Sequence, residues 1–383
     1  MSGKQIINCI NFYGDNCACG FYRMSFPAMT LKTIMGGQFR FKFLEAETPI
    51  LDQRYYASIG PIRCIRIQRW FRKEHEHIVK NFLKPLCDKL GIWLTYEIDD
   101  VLLYDDIPQY NLAREHFKTS EVGESIQTIF DCCDLITVTT DELKDIYVEK
   151  LKQPKNKIAV IPNYLPRWWI GEAFNLDQQM RQWDAQHTKP HIAFACSTNH
   201  FDINNANGGV DDFTEIMPWI KKNLDKYKFI FIGGIPQQLK QELNEHKVEM
   251  QQASDLFNYP RELKNRRIDL LIAPLIDNRF NRCKSNIKWL EMSALGIPMI
   301  GQNICTYNKY TDQVFSNTDD IDNWIDKLFF RKDSKEFTAN LIMKNRKIID
   351  GVQPANDGYW LEKNIIHYYN LYTLQQKTIE LSI

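Results

Sequence analysis

Charge of one sign is what this 383-residue sequence lacks first: Lys+Arg and Asp+Glu both total 48, so there is no net charge. That excludes capture of a polyanion by the overall field, although a local basic patch stays open. No apolar run approaches the ~20 residues of a membrane span. The opening stretch, MSGKQIINCINFYGDN, has too short an apolar run for a signal peptide and no cleavage pattern. Among ten cysteines there is no C-x-x-C, and no Cys/His quartet has zinc-finger spacing. They read as small apolar residues of a reducing compartment. His75 and His77, two apart, would diverge on a helix. No internal repeat and no low-complexity tract interrupts the chain. The expectations are a cytoplasmic protein, no metal site and no stable membrane association. What is present is ordinary: 44% hydrophobic, 13% aromatic and 25% charged residues, too apolar for disorder.

Apolar strand-like runs alternate with helical segments. The first series is 6–12, 64–68, 92–98, 135–140 and 157–163, with a helix expected from Pro27 and another capped by Thr140. After an irregular stretch, 164–189, a second series follows: 191–197, 228–234, 247–253, 268–274 and 297–303. Alternation of this kind predicts right-handed βαβ units and parallel sheets. The chain should therefore be α/β, with Rossmann-like domains at 1–188 and 189–350. Residues 351–383 should form a terminal segment whose helix starts near Trp360. Ligands of such sheets bind beyond the carboxyl ends of the strands.

Five groups of residues at or near those strand ends are candidates. In RFNRCKSNIKWLEMSALGIP (279–298), Ile287, Leu290, Ala294 and Leu295 make a buried stripe, and the helix should begin near Lys284 or Ser285. Arg279, Arg282, Lys284 and Lys288 surround its first turn, the unfavourable sign for a helix amino end unless an anion binds there. Glu97, Asp99 and Asp100 follow the apolar strand IWLTY, so at least one carboxylate should face the cleft. Arg63, Arg66, Arg69 and Arg72 recur every third residue beside Trp70 and Phe71; Arg69, at the strand end, is the best cleft candidate. As a basic-aromatic stretch the segment is compatible with nucleic acid. Gly233 and Gly234 follow KFIFI and would let backbone approach a ligand. His200 and Asp202 follow the first strand of the second series and are further contact candidates.

The segments CGFYRMSFPAMTL (19–31), IQRWF (67–71), WLTYEIDD (93–100), DLITVTTDEL (134–143), VIPN (160–163), STNHFD (197–202) and 268–300 resemble family 4 glycosyltransferases of the GT-B fold. The similarity is greatest to a branch found in bacteriophages and bacteria. The resemblance implies two facing Rossmann-like domains and a terminal helix returning to the first. It also implies a nucleotide-sugar donor, retention of anomeric configuration and no essential metal. By position, Glu291 matches the second glutamate of the E-x7-E motif, which holds the donor ribose, whereas the first falls at Cys283. Lys284 and Ser285 are the implied diphosphate contacts. Gly20, Arg23 and Asn281, inside the matching segments, join the donor-binding set.

The expected enzyme is a retaining hexosyl- or pentosyltransferase. Lys284, Lys288 and the helix amino end stabilise the departing nucleoside diphosphate, and Glu97, Asp99 or Asp100 orients the acceptor. The Ile-, Asn- and Lys-rich composition and the viral resemblance make 5-hydroxymethylcytosine in double-stranded phage DNA the expected acceptor. A glycan or protein acceptor is the alternative. A non-catalytic nucleotide-sugar or nucleic-acid binding protein is the reading from another class.

Overall fold

The computed structural model describes residues 6–15, 17–45, 50–171, 176, 180, 189–253, 255–352 and 357–373. Two sheets organise it. The first contains β1 (Ile7–Tyr13), β2 (Phe39–Glu45), β3 (Ile62–Gln68), β4 (Trp93–Glu97), β5 (Leu135–Val138) and β6 (Ile158–Val160), in the order β2-β1-β3-β4-β5-β6. The second contains β7 (His191–Cys196), β8 (Lys228–Gly233), β9 (Val248–Gln251), β10 (Leu270–Ala273), β11 (Met299–Gln302) and β12 (Val314–Phe315), in the order β12-β11-β10-β7-β8-β9. All pairings are parallel.

The central strands β4, β5 and β10 are buried along their whole length; β10 is wholly apolar, whereas β4 and β5 also bury Thr95, Glu97 and Thr137. β2 escaped the sequence reading because it is an edge strand whose residues alternate aromatic with charged, FRFKFLE, and only Phe39 is fully buried. β12 is two residues long, too short for a period to register. Thr140 caps the helix Asp141–Lys150 as expected, its Oγ1 accepting from Leu143 N at 3.2 Å. The helix expected from Pro27 spans Phe26–Ile34, with a π-turn over Phe21–Ser25 before it.

The α/β GT-B arrangement read from the sequence is the one the chain adopts, including the returning end. The terminal helix spans Ile365–Thr373, however, and does not start at Trp360. Trp360 instead forms a bridge to Leu165, and Asn364 turns its amide back onto the carbonyls of Gly358 and Trp360. The helix packs on Phe26–Ile34 and β3, and Tyr372 donates to Asn11 Oδ1 of β1 at 3.2 Å. The boundary expected at 188 and the tail 374–383 lie outside the described residues. Among the described residues no helix is long and apolar enough to cross a membrane.

Candidate active site

Residues that follow strands of the two sheets meet in one crevice, and hydrogen bonds cross it at several points. Thr140, after β5, donates to Cys283 O at 2.9 Å. Asn163, after β6, donates to Ser285 Oγ at 2.8 Å. Tyr110 donates to Asp212 Oδ1 at 2.8 Å, and Tyr22 donates to Glu291. Lys284 Nζ comes within 3.9 Å of Asp100. The crevice thus lies beyond the carboxyl ends of both sheets, where open parallel sheets bind ligands.

The C-terminal wall is built on the helix Ile287–Leu295, which starts two to three residues later than the sequence suggested. Residues 283–286 are a turn, and Asn286 is the N-cap. Asn286 makes no side-chain cap, and its buried Nδ2 has no hydrogen-bond partner. An asparagine at this position normally satisfies an N–H of the first turn. Here the helix amino end keeps its donors and its positive dipole for something else. Lys284 and Lys288 flank it. Burial, with Lys284 nearby, lowers the proton affinity of Lys288 below the ordinary lysine value. An anion bound here would favour the charged form of Lys288 and relieve its repulsion with Lys284.

Arg279 and Arg282 do not belong to this cluster, contrary to expectation. Arg279 pairs with Glu149 and Asp106, and Arg282 with Asp277 at 2.6 Å, both on the exposed side of the short helix Arg279–Arg282. Cys283, where a glutamate was anticipated from the resemblance, is buried beside Phe280 in the apolar core of the N-terminal domain. Burial pushes its thiol up to about 12, so it is inert packing.

The N-terminal wall ends β3 and β4. Arg69 sits at φ 55°, a left-handed backbone held by Asp15 at 3.1 Å and by Asp99 and Asp100, each at 3.5 Å. Asp100 is the most accessible of the three carboxylates, at 29%. Asp99 is more enclosed, and burial pushes its carboxyl above the ordinary range. Of Glu97, Asp99 and Asp100, of which at least one was expected to face the cleft, Glu97 is not the one that does. It is wholly buried, bonded to Arg23 Nε at 2.6 Å and to Arg66 and Thr137. Burial would raise its carboxyl, but the two guanidinium groups overcome that and leave it below the ordinary value. Glu97 neutralises buried arginines, and its oxygens are taken. Arg23 is likewise spent: it also donates to Ile161 O at 2.6 Å and Asn163 Oδ1 at 3.1 Å, so it braces the loop carrying Asn163.

The arginine series is dispersed. Arg66 lies inside the sheet between Glu97 and the rings of Tyr368 and Tyr372. Arg63 donates to Thr373 O at 3.1 Å, tying down the terminal helix, and Arg69 is enclosed by carboxylates. Of the four, Arg72 is the exposed one, its guanidinium lying over the Phe71 ring.

Among the remaining candidates, His200 Nδ1 is 2.6 Å from Asp212 Oδ2 and near both lysines. Asn281 is completely buried, its amide donating to Asp212 Oδ1 at 2.7 Å and Ile276 O at 3.0 Å, so it is a strut and not a surface for ligand. Asp202 organises its own loop by accepting from the N–H groups of Ala206, Asn207 and Gly209. The glycines serve this chain's own close approaches. A Cβ at Gly20 would enter the Asp15 carbonyl, one at Gly233 (φ 95°) would stand 2.7 Å from Cys196 O, and one at Gly234 2.8 Å from the Phe201 ring. Glu291 is buried, and burial pushes its carboxyl to about 7. Asp15, Tyr22, Tyr110, Asn163, Asp212 and Asn286 were missed. Asn286 had a signal, a capping residue directly before the apolar stripe. Tyr22 and Asn163 lie inside segments already matched to the resembling family, but nothing in their local sequence marks the partners they take across the crevice; Asp15, Tyr110 and Asp212 carry no local signal.

No family model and no curated protein matches the sequence. Solved structures share the fold. A glycosyltransferase from Rickettsia africae is 12% identical with TM-score 0.59, covering 98% of this chain and 99% of that one. HepE of Anabaena, in complex with UDP, is 11% identical with TM-score 0.57, covering 97% and 100%. The same protein in complex with UDP-glucose is 10% identical with TM-score 0.57, covering 95% and 99%.

Proposed function

We propose that this chain is a glycosyltransferase that moves a sugar from a nucleoside-diphosphate sugar to an acceptor hydroxyl, with retention and without an essential metal. The observation that carries the reading is the uncapped amino end of the 287–295 helix, flanked by Lys284 and Lys288 and facing the other domain. Free N–H groups, a helix dipole and two cations together make a diphosphate site. UDP-glucose, bound by HepE of the same fold, is the first donor to try.

In the reaction the bond from the anomeric carbon to the phosphate oxygen breaks, and charge grows on that oxygen. Lys284, Lys288 and the helix end, fixed in a partly enclosed crevice, stabilise that charge. The acceptor oxygen attacks from the face the phosphate leaves, and its proton passes to the departing phosphate. Asp100, opposite Lys284, orients that acceptor hydroxyl, with Asp99 behind it. Glu97 takes no part, because its oxygens are already committed. Glu291, joined to Tyr22, is placed to receive donor hydroxyls once Tyr22 yields.

A glycan or protein hydroxyl is favoured over 5-hydroxymethylcytosine in duplex DNA, because Arg63, Arg66, Arg69 and Arg72 do not share a surface. The test is a screen of nucleotide sugars for thermal stabilisation, followed by mass spectrometry of glycan, protein and hydroxymethylated DNA acceptors. A mass increase of one sugar on an acceptor supports the proposal. Stabilisation with neither transfer nor donor hydrolysis would leave a binding protein instead.

A further inference from the structure

His200 follows β7 in a short 3-10 turn, near enough to Lys288 and Lys284 for their charges to bear on its ring. Its Nδ1 lies 2.6 Å from Oδ2 of Asp212. Asp212 is buried, and its other oxygen accepts from Tyr110 Oη at 2.8 Å, Asn281 Nδ2 at 2.7 Å and Ile276 N at 3.0 Å. Burial opposes ionisation of this carboxyl, but the bonds it accepts keep it below the ordinary aspartate value. A carboxylate only accepts, so the proton of this contact sits on His200 Nδ1. Burial and the neighbouring Lys288 hold the imidazole neutral, down to about 4, despite the aspartate. A neutral imidazole has one N–H, and here it is committed. Nε2 is therefore an acceptor with no proton of its own.

That assignment restricts what the ring can bind. Phosphate oxygens are acceptors and gain nothing from a bare nitrogen lone pair. A hydroxyl does. We propose that His200 Nε2 accepts a hydrogen bond from a hydroxyl of the sugar nucleotide whose diphosphate lies on Lys284 and Lys288, and that Tyr110 positions the ring through Asp212. The proposal rests on the crevice being a sugar-nucleotide site. Tyr110 belongs to the N-terminal domain and Asp212 to the C-terminal one, so the ring is fully oriented only when the domains are together. Asp212 and Tyr110 are positioning residues, and His200 alone touches the ligand.

Calorimetric titration with UDP and with UDP-glucose, on the full chain and on His200→Ala, separates the possibilities. Losing one hydroxyl contact should weaken affinity about tenfold. Loss for UDP-glucose alone places the hydroxyl on the hexose, and equal loss for both places it on the ribose. Unchanged affinity for both overturns the proposal while the sugar-nucleotide reading stands. Failure of the unaltered protein to bind either probe removes that reading and this proposal together. Imidazole 15N shifts of His200 at neutral pH give an answer that needs no variant to fold. The Nδ1–H tautomer is expected, with Tyr110→Phe broadening or shifting its signals; an Nε2–H tautomer or a protonated ring overturns the proposal.

Discussion

Lys284 and Asp100 stand 3.9 Å apart across the crevice, one from each domain, with the Phe280 ring under the ammonium at 4.6 Å. Neither charge is fully buried, and the separation is too long for a hydrogen bond, so each keeps hydrogen-bonding capacity for other groups. In the proposed reaction they serve opposite ends of the bond exchange: the lysine the departing phosphate, the carboxylate the incoming hydroxyl.

Lys284→Ala should therefore lower donor affinity and turnover together, by roughly 2–4 kcal/mol in kcat/KM, as for loss of a charge-assisted contact to a developing anion. Its melting temperature should stay near that of the parent, because a partly exposed ion pair of this length adds little stability. Steady-state kinetics with a nucleotide sugar, beside a thermal melt, checks both halves. Unchanged kinetics in the folded variant would remove Lys284 from the site.

Glu97 and Asp100, three residues apart, should behave oppositely. Glu97→Gln leaves Arg23 and Arg66 buried without their counter-charge and should cost about 3–5 kcal/mol of stability. Asp100→Asn should change stability by less than about 1 kcal/mol while reducing transfer. Urea unfolding of both variants decides. A fully stable Glu97→Gln protein that has lost activity would return Glu97 to the catalytic group.

Glu291 gives a pH signature. Its carboxyl is raised from 4.5 to about 7, so the folded state holds the proton more tightly than the unfolded chain. The associated stability is present below pH 4.5 and is lost as pH rises through 7. Glu291→Gln cannot ionise and should gain on the parent by roughly 1–3 kcal/mol between pH 5 and 8. Denaturation midpoints across that range measure it, and a constant difference would contradict the burial argument.

Duplex DNA should bind weakly. Three phosphate contacts from the arginine series would give a slope of log affinity against log salt of about −2.7. With Arg66 inside the sheet and Arg69 enclosed, the slope should be about −1 or shallower. Arg66→Ala should unfold the protein more easily and not merely reduce the slope. Fluorescence anisotropy over a salt series is the measurement.

The sheets were legible because doubly covered strands such as LLIA of β10 leave unbroken apolar runs bounded by turn residues. β2 was not, since its aromatic residues alternate with charged ones on a half-exposed edge strand. For the site, the cationic turn before Ile287 was readable from local sequence, because helix dipole and charge order are local properties. Partnership was not. Nothing near Glu97 announces that Arg23 and Arg66 converge on it, and nothing near His200 announces Asp212, since these contacts exist only once strands and loops are assembled. A three-residue spacing in a strand alternates faces, so Arg63, Arg66, Arg69 and Arg72 could not share one surface; their separate partners appear only in the fold.

The central claim is that the crevice binds a nucleotide sugar through Lys284, Lys288 and the helix amino end, and cleaves it without metal. Release of nucleoside diphosphate from UDP-glucose and a panel of other nucleotide sugars, in EDTA, tests it most directly, with the parent compared to Lys288→Ala. The account predicts release from at least one donor by the parent, sharply reduced in the variant and insensitive to EDTA. Absence of release and of binding across the panel, or release that requires a divalent cation, would contradict it.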